Sequence, residues 1–345
     1  MFTKRFSSVW LGLTLCVFSA VSLPAEPATE SPAQQFPVPP QGFDQARPGV
    51  AAGKLELVQY EATAIAPDMK RPAQIYTPPG YTKRKKYPVF YLIHGLGQDE
   101  TAWIKQGKAN VILDNLIADK KIVPMIVVFP NGSVGGGGAR PGGGRGAGAP
   151  AGDAPRAGGP PIAATAGAGG PPAPAAAPAG GRGAGGGGVA AGSSFETDLT
   201  KDLIPYVEAH YSTLANARHR ALAGLSLGGM QTKAIAPTNS NKFAYFGVFS
   251  GGNISPTVDV TDISTFKKNV KLVYMSFGSK EPSNARGAAG LPSGPVGIER
   301  EAAAFNKAGI KSIFYVSPDS AHDFTSWKRS LYYFSQELFR DLAKR

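Results

Sequence analysis

The chain reads as an α/β protein, with a mostly parallel central sheet and helices on both faces. Three observations predict this. Tyr87 to His94 (YPVFYLIH) and Met125 to Phe129 are near-continuous apolar runs, as strands buried on both faces must be. Stretches of helical spacing lie between such runs, as in Lys108 to Asp119, where Val111, Ile112, Asn115 and Leu116 keep the period. Strand and helix then alternate to the end of the chain, which calls for crossover helices packed over a parallel sheet.

Taken in order, Leu55 to Thr63 and Ala73 to Thr77 read as two leading antiparallel strands, followed by the buried strand Tyr87 to His94. After the helix Lys108 to Asp119 and the strand Met125 to Phe129 comes a helix over Thr197 to Tyr211, with Asp198 near its start to complement the helix dipole. Arg220 to Ala223 is a short buried strand, and a helix begins at Gly229 and ends before Pro237. The strands Tyr245 to Phe249, Leu272 to Phe277 and Ser312 to Val316 follow, with a helix near Gly297 to Lys307 and a C-terminal helix from about Thr325.

The ends and the interruptions set the domain plan. Lys4 and Arg5, an apolar run from Val9 to Val21 and then small residues and prolines form a secretory signal peptide over residues 1–25, with cleavage after Ser22 or Ala25. The run is short for a membrane span, so no stable membrane insertion is expected after cleavage. Either cut removes Cys16, the only cysteine, and leaves a periplasmic or secreted product without thiol chemistry. Residues 26–53, rich in Pro, Gln and Ala, read as a linker, and residues 54–345 as a single domain. That domain is interrupted at about 134–194 by a segment that is almost entirely Gly, Ala and Pro. Its few large aliphatic residues cannot offset the entropy of ordering it, so it is expected to be disordered. Its glycine runs lack the spacing of a phosphate loop.

The net charge of +12 loses two units with Lys4 and Arg5, leaving +10 on the mature chain. The charge is dispersed. Its one dense run, Lys83-Arg84-Lys85-Lys86, reads as a solvated loop, and no aromatic-interleaved basic motif points to nucleic acid. No metal-ligand spacing is present among the four histidines, and no cofactor is expected.

The chemistry concentrates at Gly224-Leu225-Ser226-Leu227-Gly228, a Gly-x-Ser-x-Gly turn set between a strand and a helix. Such a turn holds serine in a strained conformation that only small neighbours tolerate. A serine hydroxyl needs a general base and a carboxylate to orient it. His322, in the loop after the last strand, lies where parallel sheets place ligands and is the candidate base. His94, in His94-Gly95-Leu96-Gly97, marks a loop that supplies backbone N–H groups rather than a proton shuttle. Glu281, just past the strand Leu272 to Phe277, is the candidate acid, with Asp259, Asp262, Asp319 and Asp323 as competitors explicable as loop or cap residues. The backbone N–H groups of Leu96 and Leu227 are the candidate oxyanion donors.

With these residues in view, the chain resembles the esterase D-like branch of the α/β-hydrolases. It looks most like the feruloyl esterase modules of bacterial xylanases, the carbohydrate esterase family 1-like group. The resemblance rests on His94-Gly95-Leu96-Gly97 leading to Trp103, Ala109 to Ala118, Asp202 to Glu208, His219 to Met230 and Ala321 to Trp327, and covers nearly all of 54–342 except the insert. It implies Ser226 as nucleophile, His322 as base, and Leu96 and Leu227 as oxyanion donors. The acid of that branch is usually Asp at the end of a Gly-x-x-Asp turn; here the matching position is Glu281. The insert is a second departure, standing where the family has a shorter loop near the site. Its simplest reading is a neutral expansion, against a lid or a wall-adhering tether.

The expected activity is therefore that of a secreted serine carboxylesterase acting on feruloyl or acetyl esters, on a small molecule or a plant polysaccharide. Trp103 and Trp327, with Phe324 and Tyr81, are candidates to line an aromatic acyl pocket, although such residues more often pack in cores. The alternatives are an acyltransferase or siderophore-type esterase on the same fold, and a non-catalytic carbohydrate-binding relative. Intact Ser226, His322, Glu281 and elbow glycines argue against the last. Oligomeric state is not legible.

Overall fold

A computed structural model describes Met1 and residues 36–133, 194–282 and 295–343. The signal peptide expected over 1–25 and the insert expected at about 134–194 lie outside the described residues, apart from Met1 and Ser194.

One eight-stranded sheet organises the domain. Its strands are β1 (Lys54–Glu61), β2 (Lys70–Thr77), β3 (Val89–Ile93), β4 (Ile126–Pro130), β5 (Arg220–Leu225), β6 (Tyr245–Phe249), β7 (Leu272–Gly278) and β8 (Ser312–Ser317), in the spatial order β1-β2-β4-β3-β5-β6-β7-β8. β1 pairs antiparallel with β2 and β2 with β4, while every pairing from β4 to β8 is parallel. The near-continuous apolar strands are buried throughout, and their side chains alternate between two cores. On β3, Val89, Tyr91 and Ile93 enter one core and Phe90 and Leu92 the other.

Helices α1 (Ala102–Lys105), α2 (Ala109–Ala118) and α7 (Phe324–Glu337) cover one face, where Trp103, Ile112, Leu116, Leu331 and Phe334 meet the strands. The opposite face is covered by α3 (Ile204–His210), α4 (Leu227–Ile235), α5 (Ile263–Asn269) and α6 (Pro295–Lys307), through Val207, Ile235, Phe266 and Phe305. From β3 the chain crosses to β4 on one side, and β5 then lies on β3's other side. The loop after β3 and the turn after β5 therefore meet at a topological switch point, where such sheets bind ligands. Among the described residues no helix is long and apolar enough to cross a membrane.

Three expectations change. Of the linker read over 26–53, the described part from residue 36 is strapped to the domain. Phe36 packs edge-on against Tyr315 (5.7 Å) and Phe43 against Tyr332 (5.3 Å). The Asn115 amide donates to the carbonyls of Phe43 and Gln45, and Arg47 donates to Asn115 and Asp119. Spaced aromatic and polar anchors thus override a Pro-rich composition. The helix over Thr197 to Tyr211 contains a π-helical turn, Leu199–Leu203, before α3. Asp198, expected to complement the helix dipole, is fully buried and serves other partners, accepting from the Tyr60 hydroxyl (2.7 Å) and facing Arg71 Nε at 2.9 Å. Arg71 also donates to the carbonyls of Asn131 and Ser133, so one side chain ties the segments on both sides of the insert. The short helices α1 and α5 are additions to the sequence reading.

Candidate active site

β5 runs directly into Ser226, whose N–H donates to the Phe249 carbonyl at 2.8 Å and whose backbone adopts φ 51°, ψ −114°. No L-residue rests there without strain. The turn is possible because its flanks are glycine: a Cβ at Gly224 would lie 2.3 Å from the Gly228 carbonyl carbon, and one at Gly228 would lie 2.5 Å from the His94 carbonyl oxygen. Ser226 precedes the first residue of α4, yet its hydroxyl makes no capping bond and is left for other work.

That hydroxyl lies 2.9 Å from His322 Nε2, and His322 Nδ1 lies 2.9 Å from Glu281 Oε2. An ionised carboxylate only accepts, so the proton sits on Nδ1 and Nε2 presents its lone pair to the serine. Glu281 is itself held: its other oxygen accepts the Ser250 hydroxyl at 2.6 Å and the Gly278 N–H at 2.8 Å. Burial pushes the Glu281 carboxyl up, but the hydrogen bonds from His322, Ser250 and Gly278 outweigh it and hold the group below the usual carboxylate range. His322 also packs edge-on to Trp327, ring centroids 5.1 Å apart. Three of the four competing acids have other duties. Asp323 caps α7 through the N–H groups of Thr325 and Ser326, Asp262 caps α5 through Thr265, and Asp259 accepts from Ser255.

The loop after β3 lies against the elbow, since a Cβ at Gly95 would come within 3.4 Å of Ser226 Cβ. Among the described residues, neither the Leu96 N–H nor the Leu227 N–H, at the start of α4, has a protein acceptor. Both side chains are incidental to this; Leu96 is 79% exposed, and so is Met230, one turn past Ser226, at 57%. Ser226, His322, Glu281 and the two amides thus come together at the carboxyl ends of β3, β5, β7 and β8.

The tryptophans do not form an open wall. Trp103 is fully buried, with its indole N–H donated to the Ile93 carbonyl at 3.0 Å and its ring edge-on to Phe249 and Phe324, which makes it core. Trp327 is buried behind His322 and donates to Ser250 Oγ at 2.9 Å, a supporting rather than a lining position. Tyr81 packs at a tilt against Tyr87, ring centroids 5.0 Å apart, before the start of β3 and so at the opposite end of the sheet. Ser250 is the residue the sequence reading missed. Its one signal was its place in Ser250-Gly251-Gly252, directly after β6. Among the described residues no group of three or more His, Cys, Asp or Glu side chains could hold a metal ion.

Comparison with known proteins bears on the family and the fold. The sequence model of the Esterase family matches residues 65–153 and 177–337. An endo-1,4-beta-xylanase/feruloyl esterase of Xylanibacter ruminicola is 30% identical over 311 residues, covering 89% of this chain; the chain spans only 34% of that protein's length. Among solved structures, a CE1 ferulic acid esterase of Anaeromyces mucronatus in complex with ferulic acid superposes with a TM-score of 0.60 at 20% identity, covering 88% of this chain and 97% of that one. A mutant feruloyl esterase module from Clostridium thermocellum complexed with sinapinate gives 0.57 at 19% identity, over 90% and 95% of the two chains. With the eight-stranded sheet, these likenesses give the fold, and the sequence match gives the family: the chain belongs to the Esterase family and has the α/β-hydrolase fold.

Proposed function

We propose that the protein is an exported serine carboxylesterase that cleaves feruloyl or acetyl esters, including those on plant polysaccharide, through an acyl-enzyme. The observation that carries this reading is the unbroken line from Glu281 through His322 to Ser226, with 2.9 Å at each step. His322 Nε2 takes the Ser226 proton as Oγ attacks the ester carbonyl. Glu281 keeps the imidazole in the tautomer that can do this and stabilises the imidazolium that forms. The Leu96 and Leu227 N–H groups receive the oxyanion, each such donor being worth roughly 10²–10³ in kcat. His322 then returns its proton to the leaving alcohol, and water repeats the sequence to release the acid.

The exposed apolar side chains of Leu96, after β3, and Met230, one turn past Ser226, suit an apolar or aromatic acyl group, and the names of the Xylanibacter and Anaeromyces relatives point to the same substrate class. Export rests on the charged and apolar N-terminal pattern of residues 1–25. The test is hydrolysis of p-nitrophenyl acetate, methyl ferulate and acetylated xylan by wild type and Ser226→Ala. A burst of product in the wild type, absent from the variant, is expected, with methyl ferulate preferred to the acetyl esters. A folded wild type inactive on all three would overturn the reading and favour the binding or transferase alternatives.

A further inference from the structure

We propose that His94, held by the strand-to-insert leg through Gly132 and Gln231, is a positioning residue that aims the Leu96 N–H at the oxyanion. The inference rests on the serine esterase reading above. His94 is buried (2% exposed) beside the candidate site, and both of its ring nitrogens are engaged by backbone. Nε2 accepts the Gly132 N–H at 2.9 Å, so the proton must sit on Nδ1, which lies 2.8 Å from the Gly95 carbonyl oxygen. That carbonyl belongs to the same peptide unit as the Leu96 N–H. In a planar trans peptide the two point in opposite directions, so fixing the Gly95 oxygen on His94 fixes the direction of the Leu96 N–H.

The other end of the tie is built as closely. Gln231, on the elbow helix α4, donates Nε2–H to the Gly132 carbonyl at 2.8 Å. A Cβ at Gly132 would stand 2.7 Å from Ile93 Cγ2 and 3.0 Å from Gln231 Oε1, so only glycine brings this leg into place. The helix that follows the nucleophile and the loop that carries the first oxyanion donor are thereby locked to each other through Gly132, two residues after β4. Gln98 adds a second restraint from within the loop, accepting the Gly95 N–H at 2.9 Å. Burial also pushes the His94 pKa down, against the pull of the Gly95 carbonyl, Asp99, Glu100 and Asn131. The ring therefore stays neutral, which the contact with Gly132 requires.

Because the oxyanion exists only in the transition state, loosening this tie lowers kcat and leaves KM alone. His94→Leu is expected to lower kcat on methyl ferulate about 10- to 100-fold with KM within about twofold. His94→Asn, whose amide can still reach the Gly95 carbonyl, retains more activity. The discriminating readout is inhibition by phenylboronic acid, whose tetrahedral serine adduct carries an oxygen where the oxyanion would be. Its inhibition constant should rise by the same factor as kcat falls, which a merely structural loss would not produce. Should His94→Leu fail to fold, Gln231→Met carries the test, with the same parallel change of smaller size. Unchanged kcat, or lost kcat with unchanged boronate affinity, in a folded variant overturns the positioning role. Activity retained in Ser226→Ala would remove the serine reading and this proposal with it, whereas an inactive Ser226→Ala beside unaltered His94 and Gln231 variants overturns this proposal alone.

Discussion

Trp327 donates its indole N–H to the hydroxyl of Ser250 across 2.9 Å, and that hydroxyl in turn donates to Glu281. The carboxylate that orients His322 is therefore itself oriented by a buried side chain from α7. Ser250→Ala is expected to cost about 1.5–3 kcal/mol of stability, the usual loss for a hydrogen bond to a charged group. It should also raise the Glu281 pKa, because one of three donors to the carboxylate is gone. The stability lost on acidification from pH 7 to below about pH 4 should then be smaller in the variant than in the wild type, measured by urea unfolding of both proteins. An equal acid loss in the two would show that the hydroxyl only fills space.

The depressed Glu281 pKa has a stability consequence of defined sign. Its carboxylate is favoured in the folded state, so the stabilisation is fully present above the unfolded value near 4.3 and is lost as pH falls through the folded value. Glu281→Gln, which cannot titrate, should be less stable than wild type at pH 7, and the gap should narrow as the medium is acidified below about pH 4. Denaturant unfolding of both proteins at the two pH values checks this.

Ser226 pays for its reach with backbone strain, at φ 51° and ψ −114°. Glycine relieves such strain, worth about 1–3 kcal/mol, against about 0.5–1 kcal/mol of added chain entropy. Ser226→Gly should therefore abolish turnover while raising stability by about 1 kcal/mol, seen as a higher Tm. A lower Tm would place the strain elsewhere.

The two tryptophans should separate by phenotype. Trp103 is fully buried core, so Trp103→Ala is expected to lose about 3–5 kcal/mol without a selective effect on KM. Trp327→Phe keeps most of the buried ring but removes the donor to Ser250, and should lower kcat more than stability. A rise in KM for aromatic esters alone, in either variant, would return these residues to the acyl pocket.

Arg71 offers a test away from the chemistry. It is the buried cation opposite Asp198, and it also holds the Asn131 and Ser133 carbonyls. Arg71→Met leaves Asp198 buried without its cation and should cost about 3–5 kcal/mol by denaturant unfolding. An unchanged midpoint would mean that the pair contributes no net stability.

Residue order carried the local and the periodic. Near-continuous apolar runs of strand length such as YPVFYLIH suit strands covered on both faces, and a Gly-x-Ser-x-Gly turn between strand and helix needs small neighbours, so the parallel sheet and Ser226 were legible without coordinates. His322 and Glu281 were legible by position, each standing just past a buried strand, because the carboxyl ends of parallel strands converge. Tertiary structure alone decided whether side chains distant in the chain would meet. It took Trp103 and Trp327 out of the open site, turned Asp198 from a helix-end charge into a buried partner of Arg71, and bound residues 36–53 to α2 and α7. It also brought in Ser250, and joined His94 to Gly132 across 38 positions of chain. Composition and spacing report what a segment prefers for itself, whereas burial and hydrogen-bond partnership belong to pairs of residues that only the packed sheet places side by side.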